Sequence, residues 1–232
     1  MNKNILIIGG SSGIGQALVK LLQDSNTIFV ANRTSEGIDT QKVTYIKYDA
    51  IEGPLDTSVL PDQLDGFVYC PGSINLRPFK GLKPETFLKD FEINVLGAVK
   101  SLQAVLKNLL ESPQASIVLF STVAVQTGMP FHASVAAAKG AIEGLTRSLA
   151  AEYAPKFRVN TIAPSITDTP LANKFLNNEV KLEKANERHP LKNIGSAKDI
   201  AHTARFLLSD ESKWMTGQIV HLDGGIGDLK TN

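Results

Sequence analysis

Apolar residues follow two rhythms along this chain. Compact apolar runs occur at Ile5-Leu6-Ile7-Ile8, Ile28-Phe29-Val30-Ala31, Val43 to Tyr48, Phe67-Val68-Tyr69-Cys70, Ser116 to Phe120, Arg158 to Ala163 and Gln218 to Leu222. Such runs, bounded by turn-forming residues, read as strands buried on both faces. Between them apolar residues return at helical spacing. Ile14, Leu18, Leu21 and Leu22 mark a first helix, and Phe87, Phe91, Val95, Ala98, Leu102, Val105 and Leu109 stripe a long one from about Pro84 to Leu110. A second long helix is predicted from Ala136 to Glu152. Ser196-Ala197-Lys198-Asp199 reads as a capping box opening a last helix through Leu208. Strands alternating with helices predict parallel strands joined by right-handed crossovers, a doubly wound α/β sheet of about seven strands flanked by helices. The connection Thr34 to Lys42 is too short for a crossover helix, so strands two and three should be joined by a loop. Pro170 to Lys192 is polar and helical in character, without a strong core stripe.

The first strand runs directly into Gly9-Gly10-Ser11-Ser12-Gly13-Ile14-Gly15. A strand, a glycine-rich turn and a helix in this order open a Rossmann dinucleotide-binding fold. Glycines accept the positive φ of a tight turn, and their missing Cβ lets backbone N–H groups approach a pyrophosphate at the positive end of a helix. Strand two closes at Asn32-Arg33, where an acidic residue would hydrogen-bond a ribose 2′-hydroxyl. An amide followed by a guanidinium suits a 2′-phosphate instead, so the expected cofactor is NADP (NADPH) rather than NAD.

Composition narrows the setting. With 232 residues and 43% hydrophobic content the chain can bury one α/β core, and residues 1–232 are read as a single domain. A net charge of +1 without a basic block offers no nucleic-acid or membrane surface. No run is long and apolar enough for a membrane span, and the residues before strand one leave no room for a signal peptide. Cys70 is the only cysteine, which excludes an intramolecular disulfide and a cysteine-based zinc site, and no metal site is expected. A cytoplasmic location is the expectation.

From strand one to Gly225 the chain resembles the short-chain dehydrogenase/reductases, especially the β-ketoacyl-carrier-protein reductase type. Gly9, Gly13 and Gly15 fall on the family's glycine triplet, with Ile8 where threonine is usual. Asp49-Ala50 matches the pair that holds adenine. Of the Asn-Asn-Ala-Gly signature only Gly72 survives, in Tyr69-Cys70-Pro71-Gly72. Asn94 matches the helix asparagine of the catalytic tetrad. Pro164-Ser165 stands where the family has Pro-Gly, Thr167 and Thr169 fall in the segment contacting the nicotinamide amide, and Leu222-Asp223-Gly224-Gly225 matches the terminal motif. The resemblance implies cofactor contacts from Gly9, Ser11, Ser12, Gly13, Ile14, Gly15, Asn32, Arg33, Asp49, Ala50, Gly72, Lys139, Pro164, Thr167 and Thr169.

The same resemblance exposes a gap. Family chemistry uses a serine, a tyrosine thirteen residues later and a lysine four further on. The phenol donates a proton as hydride arrives, and the lysine on the same helix face lowers its pKa. Here Thr122, beside Ser121, takes the serine position and Lys139 the lysine position, but the tyrosine position is Val135. Valine cannot donate a proton. One reading is a reductase with altered acid chemistry: 2,4-dienoyl-CoA reductases of the superfamily also lack this tyrosine, and Ser134 to Lys139 resembles their segment. His132 and Tyr69 are then candidate replacement acids, though each also reads as structural. A second reading is an NADP-binding protein without turnover, a sensor or scaffold. A third takes Val135 as a substitution introduced to trap a complex. The first leads, with a ketone, enone or enoyl thioester as substrate, Pro170 to Lys192 as substrate lid, and a homodimer or homotetramer as the implied assembly.

Overall fold

The computed structural model describes residues 2–230. In chain order its elements are β1 (Asn4–Ile8), α1 (Gly13–Leu22), β2 (Thr27–Asn32), β3 (Thr44–Lys47), β4 (Gly66–Tyr69), α2 (Pro84–Phe91), α3 (Gly97–Ala104), α4 (Leu106–Leu110) and β5 (Ala115–Phe120). Then come α5 (Ala124–Thr127), α6 (Ala133–Tyr153), β6 (Phe157–Pro164), β7 (Thr167–Asp168), α7 (Asn173–Leu176), α8 (Glu179–Arg188), β8 (Gly195–Ser196), α9 (Ala197–Leu208) and β9 (Ile219–Leu222). Seven strands form one parallel sheet in the order β3-β2-β1-β4-β5-β6-β9. The order reverses between β1 and β4, and in open parallel sheets the crevice above the strand C-termini at such a point receives the ligand.

Side chains alternate across a strand, which splits the apolar runs between two cores. Leu6, Ile8, Phe67 and Ile117 face the layer that includes Val95, Leu102 and Ile142, while Ile5, Ile7, Val68 and Ile162 face α1 and α9 through Leu18, Ile200 and Leu207. Because both faces are covered, the strands read as continuous apolar runs rather than alternating ones. The β2–β3 connection carries no helix, as its length predicts. It folds instead over the glycine turn, where Gln16 Nε2 donates to Gly37 O at 2.9 Å. The capping box opens α9 as expected: Asp199 N–H donates to Ser196 Oγ and Ser196 N–H donates to Asp199 Oδ2.

The helix expected from Pro84 to Leu110 is not continuous. A π-helical stretch over Glu92–Leu96 separates α2 from α3, and Val105, at φ −113°, separates α3 from α4. Two contacts account for the first interruption. Asn94 Nδ2 donates to Asp90 O at 2.7 Å, competing for the helix's own acceptor, and Gly97 lies so close to Tyr69 that an added Cβ would sit 2.2 Å from the phenolic oxygen.

Arg158 fastens the sheet to α9. It is 5% exposed and donates to the carbonyls of Leu207 (2.9 Å), Met215 (3.1 Å) and Ser209 (3.2 Å). Arg158→Met keeps the bulk but removes a charged donor set, so it is expected to cost about 3 kcal/mol. Chemical denaturation measures this; a loss below about 1 kcal/mol would contradict it.

Candidate active site

The C-terminal ends of β1, β2, β4, β5 and β6 converge on one edge, and the candidate residues lie on the loops and helices that leave it. At the β1–α1 turn, Gly9 (φ +82°) and Gly13 (φ +53°) adopt the left-handed backbone that side chains disfavour. Gly15 packs so closely that an added Cβ would sit 2.1 Å from Gly9 O. Ser12 precedes the helix without making a side-chain cap, and no acidic residue stands in the first turn. The N–H groups of that turn and the helix's positive end are therefore directed at the edge without an internal counter-charge.

Other predicted cofactor residues gather around this turn. Asn32 Nδ2 donates to Ser11 Oγ at 2.5 Å, tying the end of β2 to the turn, and Arg33 follows it, exposed. Asp49 accepts from Ile51 N–H at 2.9 Å and Ala50 is buried behind it. Pro71 closes on Gly9, and Thr169 lies 3.4 Å from where a Cβ on Gly13 would be. The segment after β6 thus crosses over the turn that begins α1. Within it Thr167 Oγ1 donates to Ser165 O and Thr169 Oγ1 to Thr167 O.

The candidate reacting end lies around Gly72, Asn94, Thr122, Val135 and Lys139. Val135 and Lys139 are one turn apart on α6 and both are buried, at 5% and 8% exposure. Lys139 Nζ donates to Phe120 O at 2.8 Å, an anchor at the end of β5. Burial lowers its pKa to about 8, against the opposing effects of Cys70 and Asp90. A Cβ on Gly72 would lie 3.0 Å from Asn94 Oδ1 and 3.5 Å from Lys139 Nζ, so one small residue separates these two polar ends. Thr122 is half-buried beside them at the β5 C-terminus, and the next residue, Val123, donates its N–H to Pro164 O at 3.0 Å.

Two predicted site residues are corrected. Tyr69 is 3% exposed and its hydroxyl donates to Ile93 O at 2.6 Å; burial raises its pKa and the proton faces a helix carbonyl rather than the edge. Ser121 is buried too, donating to Glu143 Oε1 at 2.7 Å, so its hydroxyl braces α6. His132 stands at the N-cap of α6 with its ring nitrogen Nδ1 2.8 Å from Pro130 O.

The structure also brings together residues that sequence reasoning passed over. Asp90 is fully buried, and its Oδ1 accepts from Ser73 Oγ (2.5 Å) and Asn75 Nδ2 (2.6 Å). Its signal was an acid on the apolar face of the helix that carries Phe87, Phe91 and Asn94. Ser165 pairs with His189 across 24 residues, Oγ to Nε2 at 2.9 Å, while Nδ1 of the same ring donates to Ala185 O at 2.7 Å. Ser165 was visible as a departure from Pro-Gly; His189 carried no signal.

Residues 56–227 match a family model described as Enoyl-(Acyl carrier protein) reductase. The chain is 30% identical to the 3-oxoacyl-[acyl-carrier-protein] reductase of Thermotoga maritima, with 97% of each chain covered. It belongs to the short-chain dehydrogenase/reductase family of oxidoreductases. It is also 35% identical to the peroxisomal 2,4-dienoyl-CoA reductase of Saccharomyces cerevisiae over 66% of this chain and 52% of that protein. The crystal structure of a short chain dehydrogenase family protein from Francisella tularensis superposes with a TM-score of 0.89 at 28% identity, covering 99% of this chain and 100% of that one. Proteins of the family bind nicotinamide cofactors. The residues here fit such a group, because Gly9, Gly13 and Gly15 let the turn pack closely against Pro71, Thr169 and its own backbone, and α1 presents an uncapped N-terminus at that turn.

Proposed function

We propose that the protein is an NADP(H)-dependent reductase whose preferred substrate carries a carbon–carbon double bond conjugated with a carbonyl, an enone or enoyl thioester. The observation that carries this reading is the pairing of Val135 with a buried, anchored Lys139 one turn along α6. NADPH, if bound, would supply hydride; on a ketone this would leave an alkoxide, whereas on the conjugated carbon it would leave a delocalised enolate. The enolate is the weaker base, so it needs no phenol at the Val135 position. Lys139 is a proton-bearing group one turn along α6 from that position, and with its pKa near 8 it is mostly protonated at neutrality and able to give its proton up. Thr122 would donate a hydrogen bond to the substrate carbonyl oxygen. Kinship to a 2,4-dienoyl-CoA reductase supports this substrate class.

Asn32, Arg33, Asp49 and Ala50 would hold the adenosine end, with Arg33 gripping the 2′-phosphate. Arg33 makes this reading testable: NADPH should bind more tightly than NADH, and Arg33→Ala should weaken NADPH about tenfold while leaving NADH unchanged. Equal losses for both cofactors, or tighter NADH binding, would overturn the preference.

Residues 170–192 would serve as the substrate lid. Lys174 Nζ on α7 donates to Ile74 O at 2.7 Å, reaching the loop after Gly72, and the Ser165–His189 pair fastens the lid's base to the segment after β6. A second copy of the chain is the expected partner, since Leu88, Phe91 and Leu96 are exposed around α2 and Trp214 is 98% exposed. Among the described residues no helix is long and apolar enough to cross a membrane.

A further inference from the structure

A buried carboxylate is costly unless it is paired or hydrogen-bonded, and Asp90 is only half provided for. Its Oδ1 receives Ser73 and Asn75, but among the described residues Oδ2 has no hydrogen-bond partner, and the side chain is 0% exposed. Asn94, one turn on, repeats the pattern. Its Nδ2 donates to Ser73 Oγ (2.9 Å) and Asp90 O (2.7 Å), while Oδ1 is buried without a donor. On the other side of Gly72 stands the Lys139 ammonium, which has three hydrogens to give and one protein acceptor, Phe120 O. Two acceptors short of donors, joined through Ser73, therefore lie on one side of Gly72, and one donor short of acceptors stands on the other.

We propose that Asp90 is a positioning residue for the reaction, acting through Lys139. Its carboxylate is the counter-charge that lets the buried amine keep its proton, and the Asp90–Ser73–Asn94 chain fixes the polar wall against which the ammonium is held. The inference rests on the reading of Lys139 as the proton-bearing group. Opposite charge nearby favours the charged form of an amine, and burial opposes it. Two groups support the Lys139 ammonium, Cys70 from the end of β4 and Asp90. Cys70 does so only as a thiolate, and burial pushes its thiol up to about 12, so at neutral pH the counter-charge falls to Asp90. On α6, Glu143 is taken up by Ser121, at 2.7 Å, and by Arg147, at 3.8 Å. Asn94 and the Phe120 carbonyl carry no charge. Asp90 is left, and its buried, unscreened carboxylate raises the affinity of the amine for its proton.

Ser73 and Asn75 extend the argument to the substrate side. They follow Gly72 directly, and Ile74 between them accepts the bond from Lys174 on the lid. The carboxylate thus holds by two short hydrogen bonds the loop that the lid closes upon.

The test follows the Lys139 amine by NMR of carbon-13-labelled lysine in the full-length protein, without cofactor or substrate, so it does not depend on turnover. Asp90→Asn removes the charge at nearly constant volume. Its titration midpoint should fall by about half a unit to one unit, a roughly three- to tenfold loss of proton affinity, and Asp90→Glu should restore it. An unchanged midpoint in folded Asp90→Asn would overturn the proposal and show the cluster to be a brace for the loop. If that variant does not fold, Ser73→Ala with Asn75→Ala strips the carboxylate of its donors. A buried carboxylate without donors takes up a proton more readily, the counter-charge weakens, and the Lys139 midpoint should fall; a wild-type value would equally overturn the proposal. Absence of turnover with every substrate would defeat the proposed function without touching this result.

Discussion

Lys139→Met is expected to lower NADPH-dependent reduction by about 10²- to 10⁴-fold, the range a positioned proton donor contributes. Methionine matches the length of the lysine stem and removes only the ammonium, so the apolar packing of α6 against β5 is kept. In the wild type the group works in its protonated form with a pKa of about 8. Activity should be level below that value and fall as pH rises through it, because the donor is then lost. The methionine variant should lack this alkaline limb, and its residual rate should be nearly independent of pH between about 6 and 9. NADPH binding is measured alongside by fluorescence. A loss confined to binding, with the pH limb intact, would assign Lys139 to cofactor holding alone.

Gly15→Ala should abolish NADPH binding and destabilise the fold by about 3 kcal/mol or more. The added Cβ would meet Gly9 O at 2.1 Å, and that atom belongs to backbone rather than to a side chain that could swing aside. Gly9 cannot retreat cheaply, since its N–H is bonded to Ala31 O at 2.9 Å. Whatever relaxation occurs must move the turn or the start of α1, and both carry the N–H groups offered to the pyrophosphate. Isothermal titration and thermal melting test the two halves. Wild-type affinity in this variant would show that the cradle is elsewhere.

These expectations trace to features of unequal visibility in the chain. The glycine turn, the apolar runs and the Ser196–Asp199 capping box were legible because each depends on neighbours a few residues away. Asn94 and Lys139 were singled out through the family resemblance. The interruption of the α2–α3 helix was not, because it requires Tyr69 to approach Gly97 from β4, a contact made only once the sheet has formed. For the same reason only the fold decides between the two readings of Tyr69, candidate acid or structural residue, since its hydroxyl is consumed by Ile93 O. Asp90 broke the apolar stripe and could have been noticed. The Ser165–His189 pair could not, since 24 residues and the lid helices lie between its partners.

The measurement closest to the central claim is the consumption of NADPH by the purified protein against matched ketones, enones and enoyl thioesters, from pH 6 to 10. Reduction of the conjugated substrates, slow or absent reduction of simple ketones, and a rate that declines above about pH 8 are expected. Tight NADPH binding with no substrate consumed at any pH would contradict the account and leave a nucleotide-binding protein without turnover.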